Sequence, residues 1–283
     1  MTMEASDRRP AGLCPREPRP RSGRPAPEGE RSGRGSFTIT GRPDYATRDT
    51  PPQDRLTSPA RGRSMEGMRI LITGFEPFLS HAANPTALLA DRLDGALAAG
   101  ARLHGVRLPV AFDRAAAAFE TAFRTIRPDA VLLFGLAYSY DEVRPERLAL
   151  NLDDSTSPDN DGTIRINRPI DPAGPMGYWS SLPVDAIVAR LGAEGLPAKP
   201  SRDAGGYVCN HLFFRVRHWL TGQGLGALPA GFIHVPPTPD LITEADQGRR
   251  LGWSMDRIDH AARLAAAVVA ERGTGVPDGA LDG

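Results

Sequence analysis

Short apolar runs alternate with amphipathic stretches along most of this chain, and the alternation begins at Met68. Arg69 to Thr73 is a continuous aliphatic run closed by Gly74, the pattern of a strand buried on both faces. Ala130 to Phe134, ending in Gly135, and Gly231 to Val235 repeat that pattern. Arg102 to Val110 alternates with the period of a half-buried strand. Leu148 to Leu152 predicts a further strand, followed by a long polar loop to about Trp179. Helical periodicities lie between these runs. Asn84-Pro85 supplies a cap and a first-turn proline for a helix with Leu88, Leu89 and Leu93 on one face. Asp113 predicts the cap of an alanine-rich helix reaching Ile126. Pro183 to Gly192 and Val208 to Leu220 read as two more helices, and Met255 to Arg272 as a closing amphipathic one. Apolar strands alternating with helices predict the α/β class, with a mainly parallel sheet covered on both faces.

The first 67 residues break the pattern. They hold ten prolines and thirteen arginines but only four Leu, Ile, Val or Phe. Such a segment buries too little apolar surface to offset its ordering entropy. Residues 1–67 are therefore expected to be a disordered Pro/Arg-rich extension, and residues 68–283 a single α/β domain. The extension's nine acidic residues and its prolines argue against an amphipathic targeting helix. The expected biological start is Met65 or Met68. No run of 18 apolar residues occurs, so no membrane partner is expected. Lys+Arg and Asp+Glu both number 34, and a net charge of zero gives no whole-chain grip on nucleic acid. The two cysteines, Cys14 and Cys209, make no disulfide framework and suit a cytoplasmic location.

Candidate chemistry gathers beyond the carboxyl ends of the predicted strands, where such folds bind ligands. Cys209 follows a glycine turn, Ala204-Gly205-Gly206-Tyr207-Val208, and opens a helix. A helix N-terminus favours a thiolate, and its free amides can receive the charge of an acyl intermediate. The alternative is a small buried hydrophobe. His234 ends an apolar strand just before Pro236-Pro237 and is the best placed of six histidines to serve as a base; the alternative is a histidine satisfied locally. Glu146 enters a predicted apolar strand and can orient that imidazole, or else form a surface ion pair with Arg147 or Arg144. No HExxH, Walker A, GxGxxG or GxSxG pattern occurs, and the Cys/His spacing suits no zinc site, so no metal or nucleotide is expected.

Four ordered motifs then resemble one family. Gly74-Phe75-Glu76-Pro77-Phe78 with Asn84-Pro85, Glu146-Arg147-Leu148-Ala149-Leu150-Asn151, Gly205-Gly206-Tyr207-Val208-Cys209-Asn210 and Phe232-Ile233-His234-Val235-Pro236 are similar to those of the pyroglutamyl peptidase I (pyrrolidone-carboxylate peptidase) cysteine peptidases. The resemblance spans about Arg69 to Arg272. It implies a three-layer α/β/α sandwich and a triad of Cys209 as nucleophile, His234 as base then acid, and Glu146 as orienting group. It also implies removal of N-terminal pyroglutamyl residues from peptides, with no cofactor. A lactam pocket would be walled by Phe75 and Phe78, with Tyr207 where the family usually has phenylalanine and with polar contacts near Asn84. Assembly as a tetramer is implied as well. Tyr138-Ser139-Tyr140 stand where the family normally has two glycines and an arginine. Arg144 replaces a usual Ser or Thr, and Thr156 a frequent arginine. Two tyrosines there predict a narrowed leaving-group side. The rival readings are a homologue that binds a lactam-capped ligand with little hydrolysis, and a hydrolase of another small amide.

Overall fold

A computed structural model describes residues 67–78, 83–246 and 248–272. All of the expected N-terminal extension but Gly67, including Cys14 and Met65, lies outside the described residues, as does His81. The strands are β1 (Arg69–Phe75), β2 (Leu97–Ala98), β3 (Ala101–Leu108), β4 (Ala130–Leu136), β5 (Arg144–Pro145), β6 (Leu148–Leu150), β7 (Asp153–Ser155), β8 (Arg165–Arg168), β9 (Gly177–Trp179) and β10 (Ala230–Val235). The helices are α1 (Pro85–Leu93), α2 (Phe112–Ile126), α3 (Val184–Ala193), α4 (Val208–Gly222) and α5 (Met255–Arg272).

The main sheet runs β2-β3-β1-β4-β10-β5. Its four inner strands are parallel, while β2 and β5 pair antiparallel at the two edges. Alternation along each inner strand divides its side chains between two cores. Ile70, Ile72, Leu132, Phe134, Ile233 and Val235 face Leu89 of α1, Ile187 of α3 and Val269 of α5. Leu71, Val131, Leu133 and Phe232 face Phe119 of α2 and Phe213 of α4. The result is the expected α/β/α layering, with apolar strands because both faces are covered.

The polar stretch after Leu150 is not one loop. β7 pairs with β8 and β9 with β6, forming two antiparallel ribbons outside the main sheet. The strand expected over Leu148 to Leu152 is shorter and belongs to one of these ribbons. The expected β3 also ends earlier, at Leu108, because the chain turns there into α2.

Capping separates α1 from α2. Asn84 caps α1 as its sequence predicts, its Oδ1 accepting from Thr86 N at 3.0 Å behind Pro85. Asp113 does not cap α2. It lies in the first turn, and Phe112 N donates instead to Asp159 Oδ2 at 2.9 Å, from a loop remote in sequence. No helix among the described residues is long and apolar enough to cross a membrane.

Candidate active site

Cys209 is the second residue of α4, and Tyr207 precedes the helix in extended conformation. The turn before it needs glycine twice. Gly205 has φ +81°, and a Cβ on Gly206 would meet the Asp154 carbonyl oxygen at 2.2 Å. Close approach lets Asp154 N donate to Gly206 O at 2.9 Å, tying the turn to β7. Asn210 makes a second tie. Its amide pairs with Leu150 N and O at 2.9 and 3.0 Å and with Leu152 O at 2.8 Å. The first i to i−4 bond of α4 is His211 N to Tyr207 O, so the amides of Val208, Cys209 and Asn210 precede the helical ladder.

His234 stands on β10 beside this helix start. Its Nδ1 hydrogen-bonds Glu146 Oε1 at 2.8 Å, and its ring shares the wall of one cavity with the Cys209 side chain. Glu146 is fully buried between β5 and β6, and its backbone N donates to Phe232 O at 2.8 Å. The surface-pair alternative for Glu146 does not occur, because Arg147 pairs with Asp185 and Arg144 with Glu142. Burial works against the His234 cation, yet the hydrogen bonds and charges of Cys209 and Glu146 outweigh it and raise this imidazole to about 9. The sulfur is also tightly bounded. A Cβ on Gly135 would lie 3.0 Å from Sγ and 2.6 Å from the Phe232 ring.

A cavity of about 210 Å³ opens beside these groups, lined by Phe75, Phe78, Asn84, Tyr207, Cys209 and His234, with Val110 and Leu136 adding apolar wall. Among the described residues the lining carries no carboxylate, lysine or arginine, so it suits a neutral, flat group. Every residue expected at the site lies here except Glu146, which lies behind His234. The side chain of Asn84 is already engaged. Its Oδ1 serves Thr86, and Nδ2 donates to Glu76 O at 3.1 Å.

Several residues support the site through contacts that the sequence did not reveal. Tyr207 donates its hydroxyl to Pro158 O at 2.8 Å, and burial beside the Asp159 and Cys209 charges pushes that phenol up to about 12. Asp159 accepts from Phe112 N, Asp161 N and Thr163 N. Asn160 donates to Glu76 Oε1 and Pro77 O. The loop at 158–163 is thus bolted to three segments that form the cavity rim. A second buried cluster braces α4 from below. His211 Nδ1 lies 3.0 Å from both oxygens of fully buried Asp153, which also accepts from Arg165 at 3.1 Å. The sequence placed Asp153-Asp154 and Pro158-Asp159-Asn160 at the distance the family resemblance implies, but gave no sign of which groups they would hold. No group of three or more His, Cys, Asp or Glu among the described residues could hold a metal ion.

A family profile described as pyroglutamyl peptidase matches residues 68–272. The chain belongs to the pyroglutamyl peptidase family. Membership makes it a peptidase, and therefore a hydrolase. A pyrrolidone-carboxylate peptidase of Gloeobacter violaceus is 44% identical over 173 residues, covering 61% of this chain and 83% of that one. The pyrrolidone-carboxylate peptidase of Bacillus licheniformis is 35% identical over 204 residues, covering 72% and 93%. Among solved structures, the pyrrolidone carboxyl peptidase of Thermococcus litoralis superposes with a TM-score of 0.68 at 36% identity, covering 72% of this chain and 94% of that one. Pyroglutamyl peptidase I of Bacillus amyloliquefaciens gives 0.67 at 33% identity, covering 72% and 95%.

Proposed function

We propose that this chain removes N-terminal pyroglutamyl residues from peptides through Cys209, His234 and Glu146. The observation that carries the reading is the chain of contacts from Glu146 through His234 to Cys209 at a helix start, opening onto an uncharged aromatic cavity. The lactam ring lies between Phe75, Phe78 and Tyr207, which brings the acyl carbon next to Sγ. Sγ attacks that carbon, the carbonyl electrons move onto oxygen, and the first-turn amides of α4 receive the charge. As the oxyanion collapses the C–N bond breaks, and His234 passes its proton to the departing amine. Water then attacks the thioester while His234 takes its proton. The thiol is restored, and pyroglutamate leaves. Glu146 holds the Nδ1 proton throughout, so Nε2 is the nitrogen that exchanges protons with sulfur and amine. A catalytic free thiol requires a reducing compartment, which agrees with a cytoplasmic location.

Purified protein incubated with pyroglutamyl and prolyl chromogenic amides, with and without iodoacetamide, tests the reading. Only the pyroglutamyl amide should be cleaved, iodoacetamide should block cleavage, and Cys209→Ser should abolish it. Normal turnover by Cys209→Ser would defeat the assignment.

A further inference from the structure

Tyr140 touches the imidazole from outside the cavity. Its ring meets the His234 ring edge-on, with centroids 6.2 Å apart and an interplanar angle of 81°. It is not among the residues that line the cavity. The Arg144 guanidinium carbon lies 3.5 Å over the Tyr140 ring centroid. Arg144 is also the direct antiparallel partner of His234 in the pairing of β5 with β10. Opposed residues of such a pair project to the same side of the sheet, which puts Arg144 and His234 within reach of one ring.

Both ends of this stack are fixed. Arg144 Nε and Nη2 donate to Glu142 Oε1 at 2.8 and 2.6 Å, and Lys199 Nζ reaches the same oxygen at 2.8 Å. The loop that carries Tyr140 is tied down along its length. Ala137 N donates to Val235 O at 3.0 Å, Tyr140 N to Ala137 O at 3.1 Å, Arg250 to Tyr138 O at 2.9 Å, and Trp253 Nε1 to Asp141 O at 3.0 Å. On the other side the His234 ring packs on Phe232, with centroids 4.9 Å apart. Glu146 fixes one ring nitrogen, and that bond by itself would permit rotation of the imidazole about its axis. Two aromatic contacts from different directions remove that rotation.

We propose that Tyr140, clamped by Arg144, is a positioning residue that holds the His234 imidazole in line with Cys209 for proton transfer. The ring provides the function and the hydroxyl does not. The proposal rests on the triad reading above and concerns the proton-transfer steps, not lactam binding.

Three variants test it: Tyr140→Leu, Tyr140→Phe and Arg144→Met. With a pyroglutamyl amide, Tyr140→Leu should lower kcat by about tenfold or more with KM within about twofold, because small displacements of a proton-transfer group are costly. Tyr140→Phe should restore wild-type kcat. Arg144→Met should show a smaller loss in the same direction, since it unclamps the ring without deleting it, and it keeps the test alive if Tyr140→Leu folds poorly. A second readout needs no turnover. The downfield proton resonance of the His234 Nδ1–H, identified by its absence in His234→Ala, should broaden in Tyr140→Leu and stay sharp in Tyr140→Phe. Unchanged kcat in both Tyr140→Leu and Arg144→Met would overturn the proposal. So would equal losses in Tyr140→Phe and Tyr140→Leu, which would assign the effect to the hydroxyl. Where the wild type cleaves no pyroglutamyl amide, the triad reading fails and the resonance alone decides the role of Tyr140.

Discussion

Glu146 Oε1 accepts the Nδ1 proton of His234 at 2.8 Å, and both side chains are buried. That bond decides which imidazole nitrogen faces the sulfur. Glu146→Gln keeps the shape but offers either a neutral oxygen or an N–H, which stabilises the cation less and permits the wrong tautomer. Turnover of a pyroglutamyl amide should fall by about ten-thousandfold, the size of effect seen when a triad's acidic member is neutralised. Steady-state kinetics on folded Glu146→Gln check this, and a loss of less than tenfold would remove Glu146 from the triad.

The pH dependence follows from His234. Cys209 and Glu146 hold its cation against burial and raise the imidazole to about 9. A raised value means the proton persists through neutral pH and is lost as pH climbs through about 9. In the proposed mechanism the leaving amine then has no proton donor, so the alkaline limb of kcat/KM should fall near pH 9 and not near the ordinary histidine value. Since the Glu146 bond is one of the causes of the rise, Glu146→Gln should shift that limb to lower pH. A pH series of kcat/KM from 5 to 10.5 with both proteins reads the two positions. A wild-type limb at the ordinary histidine value would mean that Cys209 and Glu146 do not outweigh the burial of His234.

What the residues disclosed in advance depends on where each element is buried. β1, β4 and β10 are covered on both faces, so each leaves a short, mostly apolar run closed by or containing glycine. β5 is two residues long, lies at a sheet edge and contains Pro145, and β7 and β8 form a ribbon of mostly polar residues. Neither has a core to pattern it. Cys209 and His234 were legible because a glycine turn and a strand end mark them locally. The role of Asp159 was not, because Phe112, whose amide it accepts, reaches it only after folding, and the nearby Asp113 offers a cap signal that the structure leaves unused. Tyr140 was visible only as a residue out of keeping with the family.

Tyr207 joins the cavity wall to its rim. Its ring lies 6.3 Å from Phe78 and 5.6 Å from Phe112, and its hydroxyl donates to Pro158 O. Tyr207→Phe preserves both ring contacts and deletes one hydrogen bond, which typically contributes about 1 kcal/mol net. The expected outcome is a small fall in unfolding free energy and a rise in KM of about twofold to fivefold, with kcat nearly constant, as uniform binding is lost. Urea unfolding and steady-state kinetics separate the two effects. A drop in kcat with KM unchanged would place the hydroxyl in the chemical step instead.

Asp159 carries more of the rim. Its carboxylate is nearly buried and accepts three backbone amides, from Phe112, Asp161 and Thr163. Asp159→Ala leaves all three donors without that partner, and each unsatisfied buried donor costs roughly 1–3 kcal/mol. Part of this is recovered by water where the loop is exposed, so a loss of about 3 kcal/mol is expected. Urea unfolding monitored by tryptophan fluorescence measures it. A change below about 1 kcal/mol would mean that α2 and the loop are held by other contacts.

Gly135 bounds the sulfur from the sheet side. An alanine Cβ there would lie 2.6 Å from the Phe232 ring and 3.0 Å from Cys209 Sγ. Phe232 cannot easily yield, because it is fully buried against Phe75, Phe213 and His234 at centroid distances of 6.4, 6.1 and 4.9 Å. Relief must therefore come from movement of the sulfur or of the stack beneath His234. Gly135→Ala should lose roughly 1–3 kcal/mol of stability by overpacking. Displacing either triad member should also cost at least about tenfold in kcat. Gly192 in α3 is the internal control, since nothing lies within 4 Å of its added Cβ and its backbone is helical. Gly192→Ala should gain about 0.5 kcal/mol and leave turnover unchanged. Melting curves and kinetics on the two alanine variants measure both effects, and equal behaviour of the pair would show that the space beside Sγ is not confined as the packing requires.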